Sequence, residues 1–337
     1  MPQPTFDVCA IGNAIVDIIA EADDAFLRTH KIDKGVMTLI DAKRADFLYD
    51  KIGPAIETSG GSVANSVAGI AALGGKPAYI GKVKDDQLGK IFGHDLRSTG
   101  VHFATPALSA DPTLNAPPTA RCMILVTPDA QRSMNTYLGA SVELTAADID
   151  PELIHQAQIT YLEGYLFDKP TAQAAFRLAA QVAHAGGKKL ALTLSDPFCV
   201  ERHREAFLDL IRNDVDILFA NEHELMALFR SISFESALAT ARTLCETVVG
   251  TRSDKGAVIA CGDATATIAA EPVAEVVDTT GAGDLFAAGM LFGLTHGHST
   301  EESGRLGAIA AAEIISHYGP RPQHSLKELA RAKGIRV

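Results

Sequence analysis

The chain has 337 residues, 47% of them apolar, with 30 Lys and Arg against 41 Asp and Glu, a formal net charge of −11. That length holds one large α/β core or two domains, and the acidic balance excludes a general binder of nucleic acid or anionic membrane. Five scattered cysteines without a paired motif, no basic-then-apolar leader in Met1-Pro2-Gln3-Pro4-Thr5 and no apolar run of membrane-spanning length predict a reduced, cytoplasmic protein.

Phe6-Asp7-Val8-Cys9-Ala10-Ile11 reads as a first strand ended by Gly12-Asn13, and no Gly-x-Gly-x-x-Gly follows it, which argues against a common dinucleotide fold. The β-branched run Ile15-Val16-Asp17-Ile18-Ile19 carries a carboxylate that burial penalises unless it finds a partner. Asp17 therefore either faces solvent or reaches a ligand's hydroxyls. Residues 21–58 are mixed, with a short strand at Lys34-Gly35-Val36-Met37-Thr38-Leu39-Ile40. Ser59-Gly60-Gly61 then leads into an Ala-rich helix with Ser62 as its cap and Gly74-Gly75 as its stop. Backbone at Gly60-Gly61 can approach a ligand closely, and Asn65 can bond to it; a capped packing helix is the plainer alternative.

A strand at 77–81 and a helix at 87–98 follow. Residues 101–145 are proline-rich with β-like pieces, and 121–127 and 132–137 flank the turn 128–131 as a hairpin. Together with 15–20 and 35–40 they predict a small sheet outside the main core, a lid drawn from segments at about 15–40 and 105–140 of a single 1–337 unit. From 158 onward strands and helices alternate: strands at 159–162, 189–194, 215–219, 247–251, 256–261 and 264–270, with helices at 171–185, 201–212, from 222, and at 235–246. Two helices, 282–296 and 300–317, close the chain. Such alternation implies a mostly parallel sheet covered by helices on both faces.

The chemistry concentrates at Asp278-Thr279-Thr280-Gly281-Ala282-Gly283-Asp284, which runs into an apolar helix. Unpaired N–H groups at a helix start, with the helix dipole behind them, suit a phosphate. Asp284 in the first turn is either a base beside that anion or a simple complement to the dipole. Asn221 and Glu224, three apart after a strand, suit the ordered waters of Mg²⁺ or form an N-terminal capping box. No Gly-x-x-x-x-Gly-Lys loop and no zinc helix is present.

Ser59-Gly60-Gly61-Ser62-Val63-Ala64-Asn65, with Gly81-Lys82-Val83-Lys84-Asp85-Asp86 and Gly89, resembles the first signature of the PfkB, or ribokinase-like, carbohydrate and nucleoside kinases. The 278–286 stretch resembles their second, and Asn221-x-x-Glu224 their metal and phosphate motif. The resemblance implies a three-layer α/β/α core with a small β-sheet lid, and ATP- and Mg²⁺-dependent phosphorylation of a hydroxymethyl group. It makes Asp284 the base, and Gly281, Ala282 and Gly283 the anion hole, in accord with how phosphoryl transfer is catalysed. Thr251 to Gly256 matches a nucleotide loop, with Ser253 where the family has glycine, and Thr280 joins the ATP-binding set. Asp278 and Thr280 match positions that bind a monovalent cation such as K⁺ in some relatives.

For the acceptor, Gly12-Asn13 through Asp17 resembles the adenosine-kinase form of the N-terminal motif, so Asn13, Asp17, Asn65, Gly60 and Gly61 would hold ribose. Phe198 and Tyr165 would contact a purine, with ordinary core as the alternative for Phe198. Arg132 would reach substrate or phosphate from the lid, or else lie on the surface of the hairpin. The expected activity is transfer to the 5′-hydroxyl of adenosine, with another nucleoside or ribose as the next acceptor and a non-catalytic purine sensor as the rival. The partners so implied are small molecules, not nucleic acid or membrane, on a monomer or homodimer.

Overall fold

A computed structural model describes residues 5–129 and 131–337. Met1 to Pro4, and Ala130 of the hairpin turn, lie outside the described residues. The chain begins with β1 (Phe6–Ile11), β2 (Ile15–Glu21), α1 (Asp24–Thr29), β3 (Met37–Leu39) and α2 (Ala42–Tyr49). Then come β4 (Ala55–Gly60), α3 (Ser62–Ala72), β5 (Pro77–Ile80), α4 (Gln87–Ser98) and β6 (His102–Phe103). The hairpin is β7 (Ala120–Val126) and β8 (Arg132–Tyr137). After it follow α5 (Pro151–His155), β9 (Ala157–Glu163), α6 (Pro170–Ala185), β10 (Lys189–Thr193) and α7 (Pro197–Asp214). The next stretch holds β11 (Ile217–Asn221), α8 (Glu222–Phe229), α9 (Phe234–Ala241), β12 (Thr247–Thr251), β13 (Ala257–Cys261) and β14 (Ala264–Ile268). Three helices finish the chain: α10 (Ala282–Thr295), α11 (Thr300–Ile314) and α12 (Leu326–Ala332).

Nine strands form one sheet in the order β14-β13-β12-β11-β10-β9-β1-β5-β6. All its pairings are parallel except β12 with β13 and β13 with β14. Side chains alternate faces along a strand, and here both faces are covered. Val8 and Ala10 of β1 pack into one apolar cluster with α3, α10 and α11, while Cys9 and Ile11 pack into the other with α6 and α7. The expected three-layer α/β/α core with a mostly parallel sheet is thus the observed one. A second sheet, β3-β8-β7-β2-β4, forms the small lid. Its inner pairings are mixed: β2 with β7 parallel, β2 with β4 and β7 with β8 antiparallel.

Several local expectations need correction. Residues 55–60, read as mixed chain and a lead into a helix, are strand β4, which lies outside both expected lid segments. Exposure falls along this strand, from Ala55 and Ile56 to buried Ser59 and Gly60, without alternating, so no apolar stripe marks it and pairing to β2 makes the strand. The strand expected over 34–40 shrinks to Met37–Leu39. The 201–212 helix begins earlier, at Pro197, because Asp196 caps it by accepting from Phe198 and Cys199 N–H. A third closing helix, α12, follows a Ser325 cap.

Candidate active site

Two helix starts meet at the carboxyl end of the main sheet. Helix α10 is apolar all round because it is packed between α3 and α11. Gly69 of α3 lets it lie close: a Cβ there would stand 2.6 Å from Leu285 Cδ1 and 2.7 Å from Ala288 Cβ. That packing sets the first turn of α3 beside the first turn of α10. Ser62 Oγ donates to Asp284 Oδ1 at 2.6 Å and Asn65 Nδ2 to Oδ2 at 3.0 Å. The helix cap of α3 is Gly61, not Ser62 as expected, which frees the Ser62 hydroxyl for Asp284. Burial raises the Asp284 carboxyl to about 6, while the Ser62 and Asn65 hydrogen bonds and the Arg321 charge hold it down.

Gly281 caps α10 at φ +81, the left-handed region that favours glycine. The N–H of Ala282 donates to Thr279 O at 3.2 Å, so it is not free as the sequence suggested. Among the described residues the N–H groups of Gly281 and Gly283 have no partner. A Cβ at Gly283 would meet nothing within 4 Å, so packing does not demand a glycine there.

Asp17 sits in mid-strand between β4 and β7 and is buried, which overturns the solvent-facing alternative. Its carboxylate lies over Gly60, where a side chain would collide with it. Burial raises Asp17 to about 7, against the pull of Arg321 and Arg132, and Asp284 adds to the rise. Gly61 has φ +97, and a Cβ on it would strike the Asn13 carbonyl. Asn13 is buried, donates Nδ2 to Glu163 Oε1 at 2.7 Å, and keeps Oδ1 without a partner. Asn65 Oδ1 is likewise buried and unpartnered.

Arg132 is buried too, so the surface alternative fails. Its Nη1 lies 2.7 Å from Asp278 Oδ2, and its Nε and Nη2 have no hydrogen-bond partner among the described residues. Asp278 also accepts from Thr280 N–H at 3.1 Å and Gly319 N–H at 3.3 Å. One carboxylate thus joins a lid strand, the α10 turn and the loop after α11.

At the other end of the cleft, Asn221 and Glu224 form a capping box. Glu224 N–H donates to Asn221 Oδ1 at 2.9 Å, and Asn221 N–H and Nδ2 donate to the two Glu224 oxygens at 2.9 and 2.6 Å. Burial raises this buried acid to about 7. The Thr251–Gly256 loop closes through Arg252 N–H to Gly256 O at 2.7 Å, with Ser253 at φ +52 and Gly256 at φ +78. Ser253 therefore adopts the conformation that explains a glycine preference at its position. Phe198 is 70% exposed in the first turn of α7, which excludes core packing. Tyr165 is half-buried, and the charges of Asp196, Asp284, Glu224 and Glu163 all bear on its hydroxyl.

Two residues at the site escape sequence reasoning. Glu163 ends β9, is buried, and accepts from Asn13 Nδ2 and from Val63 N–H at 3.1 Å. Burial raises it to about 7. Its position at the carboxyl end of a central strand is the signal that could have found it. Arg321, after α11, bonds the Ser59 and Ala64 carbonyls, and no local pattern marks it. No group of three or more metal-ligating His, Cys, Asp or Glu converges among the described residues, and no helix is long and apolar enough to cross a membrane.

A profile of the pfkB family carbohydrate kinases matches residues 50–326. A crystal structure of an adenosine kinase from Sinorhizobium meliloti is 52% identical, with a TM-score of 0.89 over 97% of this chain and 99% of that one. A probable sugar kinase from Rhizobium etli is 50% identical, with a TM-score of 0.91 over 98% and 99%. Adenosine kinase of Saccharomyces cerevisiae is 27% identical over 94% of this chain and 96% of its own. With both signatures folded onto one cleft and relatives matched along almost their full length, the chain belongs to the pfkB carbohydrate kinase family and is a phosphotransferase acting on a nucleoside or sugar.

Proposed function

We propose that the protein phosphorylates the 5′-hydroxyl of adenosine at the expense of ATP, giving AMP and ADP. The carrying observation is the Asp284 carboxylate, held by Ser62 and Asn65 where the starts of α3 and α10 meet. Asp284 takes the proton of the acceptor hydroxyl as its oxygen bonds to the γ-phosphorus, and the bond from that phosphorus to the ADP oxygen breaks. A carboxyl raised to about 6 is ionised at neutral pH yet basic enough to accept that proton. Gly281 and Gly283 N–H groups meet the charge on the moving phosphoryl. Arg132 adds Nε and Nη2 from the lid; Ala282 contributes its position rather than its N–H.

On the acceptor side, the Asp17 carboxylate and the unpartnered Asn13 and Asn65 oxygens are acceptors suited to ribose hydroxyls. Gly60 and Gly61 let Asp17 and Asn13 close in on the turn that would hold the sugar. Exposed Phe198 and half-buried Tyr165 supply faces for a purine. The 52% identical adenosine kinase of Sinorhizobium meliloti supports adenosine over ribose, and the similarity to a probable sugar kinase keeps a sugar as the second acceptor.

Family membership implies ATP and typically Mg²⁺. The turn of Thr251, Ser253 and Gly256, with Thr280 and Asn221, would hold the nucleotide. Both Glu224 oxygens are already engaged by Asn221, so these two residues fit Mg²⁺ through its waters rather than directly. When bound, Mg²⁺ neutralises charge on the nucleotide phosphates. A monovalent cation fits poorly, because the Arg132 guanidinium already faces Asp278. A panel of acceptors with ATP and Mg²⁺, followed by ADP release, tests the reading: adenosine should lead, and ribose or fructose turning over without adenosine would overturn it. Exchanging K⁺ for choline should leave turnover unchanged.

A further inference from the structure

Arg321 lies in the loop between α11 and α12, and that loop is pinned on both sides of it. Gly319 N–H donates to Asp278 Oδ2, and the N–H groups of Gln323 and His324 both donate to Glu313 Oε1 at 2.8 Å. Between these pins the side chain runs inward. Nη1 donates to Ala64 O at 3.0 Å, and Nη2 donates to Ser59 O at 2.8 Å and Ser59 Oγ at 2.7 Å. Ser59 ends β4 and Ala64 lies in the first turn of α3, so one guanidinium ties the two arms of the Gly60-Gly61 turn together. From α4, Asp95 accepts from Ser59 N–H at 2.8 Å, from Ser59 Oγ at 2.5 Å and from Thr58 Oγ1 at 3.2 Å. Ser59 Oγ thus donates to Asp95 and accepts from Arg321.

We propose that Arg321 is a positioning residue of the transfer reaction: its guanidinium fixes the Ser59–Gly61 turn that shapes the acceptor cradle. This rests on the reading of Asp284 as the base. The groups facing Arg321 are Asp95 from α4, Asp17 from β2, Asp284 from α10 and the Tyr79 hydroxyl from β5. Arg132 from β8 faces Asp17 as well. Against the rise that burial imposes, the Arg321 charge is the strongest opposing influence on Asp17 and also lowers Asp284. Asp95 holds the same Ser59 from the other side, so removing it loosens the turn while leaving the Arg321 charge in place.

The experiment is the acid limb of kcat/KM against pH, which belongs to Asp17 and Asp284 as a coupled pair. Arg321→Met should move that limb up by about one pH unit and raise the acceptor KM by about tenfold. Arg321→Lys restores the charge but cannot bond both carbonyls, so its limb should return while the KM stays high. Asp95→Asn should raise the acceptor KM and leave the limb where it is. A limb of Arg321→Met that coincides with that of the parent enzyme, or an acceptor KM unchanged in both Arg321→Met and Asp95→Asn, would overturn the proposal; if Arg321→Met does not fold, the acceptor KM values of Arg321→Lys and Asp95→Asn decide. Asp284→Asn separates the two ideas. Near-normal turnover there removes the base itself, whereas a dead Asp284→Asn with an unmoved Arg321→Met limb removes only the role of Arg321.

Discussion

The two sheets solve the problem of polar groups in opposite ways. In the main sheet the strands carry no charge in their middles, and the polar residues that face the cleft stand at carboxyl ends: Glu163 on β9, Asn221 on β11, Thr251 on β12. The lid sheet instead buries Asp17, Arg132, Ser133, Asn135 and Thr136 within its strands. A charge inside a strand costs several kcal/mol unless a partner meets it. The core can therefore offer backbone N–H groups and helix starts at little cost in stability. The lid supplies fixed charge, and its stability depends on what those charges touch.

Four measurements would break or sharpen that contrast. Asp284→Asn, on the core side, should lower kcat by about 10³-fold or more with the acceptor KM changed little; a kcat within tenfold of the parent would remove the base. Asp17→Ala, on the lid side, should act chiefly on acceptor binding, raising KM by about 30- to 100-fold while kcat falls less. Equal falls in kcat and kcat/KM, with KM unchanged, would place the Asp17 contact in the transition state alone.

The third measurement is stability against pH. Asp17, Glu163 and Glu224 are each raised to about 7 from ordinary values of 3.8 and 4.5. Between those values and 7 the folded protein holds protons that the unfolded chain has released, so stability falls as pH rises through that window. The melting temperature should be higher at about pH 5.5 than at about pH 8, by several degrees. Asp17→Asn should flatten that slope in proportion to the share carried by the lid; an unchanged slope would put the effect in the core acids. The smallest effect belongs to Ser253→Gly, which relieves a left-handed serine and should change stability by no more than about 1 kcal/mol, with the ATP KM unchanged or lower. A raised ATP KM would give the serine side chain a binding role.

What could be read from the sequence follows the same divide. The core was legible because strands buried on both faces alternate with capped helices, each marked by its own residues; α4 lies at 87–98, as its Asp86 cap and apolar spacing predict. Asp284 was legible because the residues before it, Thr279 to Gly283, are all small and an apolar run follows it. Strand β4 was not, since Ala55-Ile56-Glu57-Thr58 has no buried stripe and owes its conformation to a partner 40 residues away in β2. Arg132 reads in the sequence as either a substrate contact or a hairpin surface residue, because nothing near it reveals Asp278, which the fold brings to it. Arg321 and Glu163 were silent for the same reason: their partners, Ser59, Ala64, Asn13 and Val63, are all distant in the chain.

The lid is also scattered along the chain in a way that bears on how the protein is made. Its central pairing joins β2 at Ile15–Glu21 to β7 at Ala120–Val126, and between them the chain leaves for the core to build α3, β5, α4 and β6. A pairing so distant in sequence carries a loop-closure penalty and forms slowly. A chain leaving the ribosome must therefore hold β2 and β4 without β7 until more than 120 residues have emerged, with Val36, Met37, Leu39 and Ile56 exposed even in the finished sheet. The segment bearing Asp17 is not secured until β7 has emerged, and during that interval it is open to pairing with another chain.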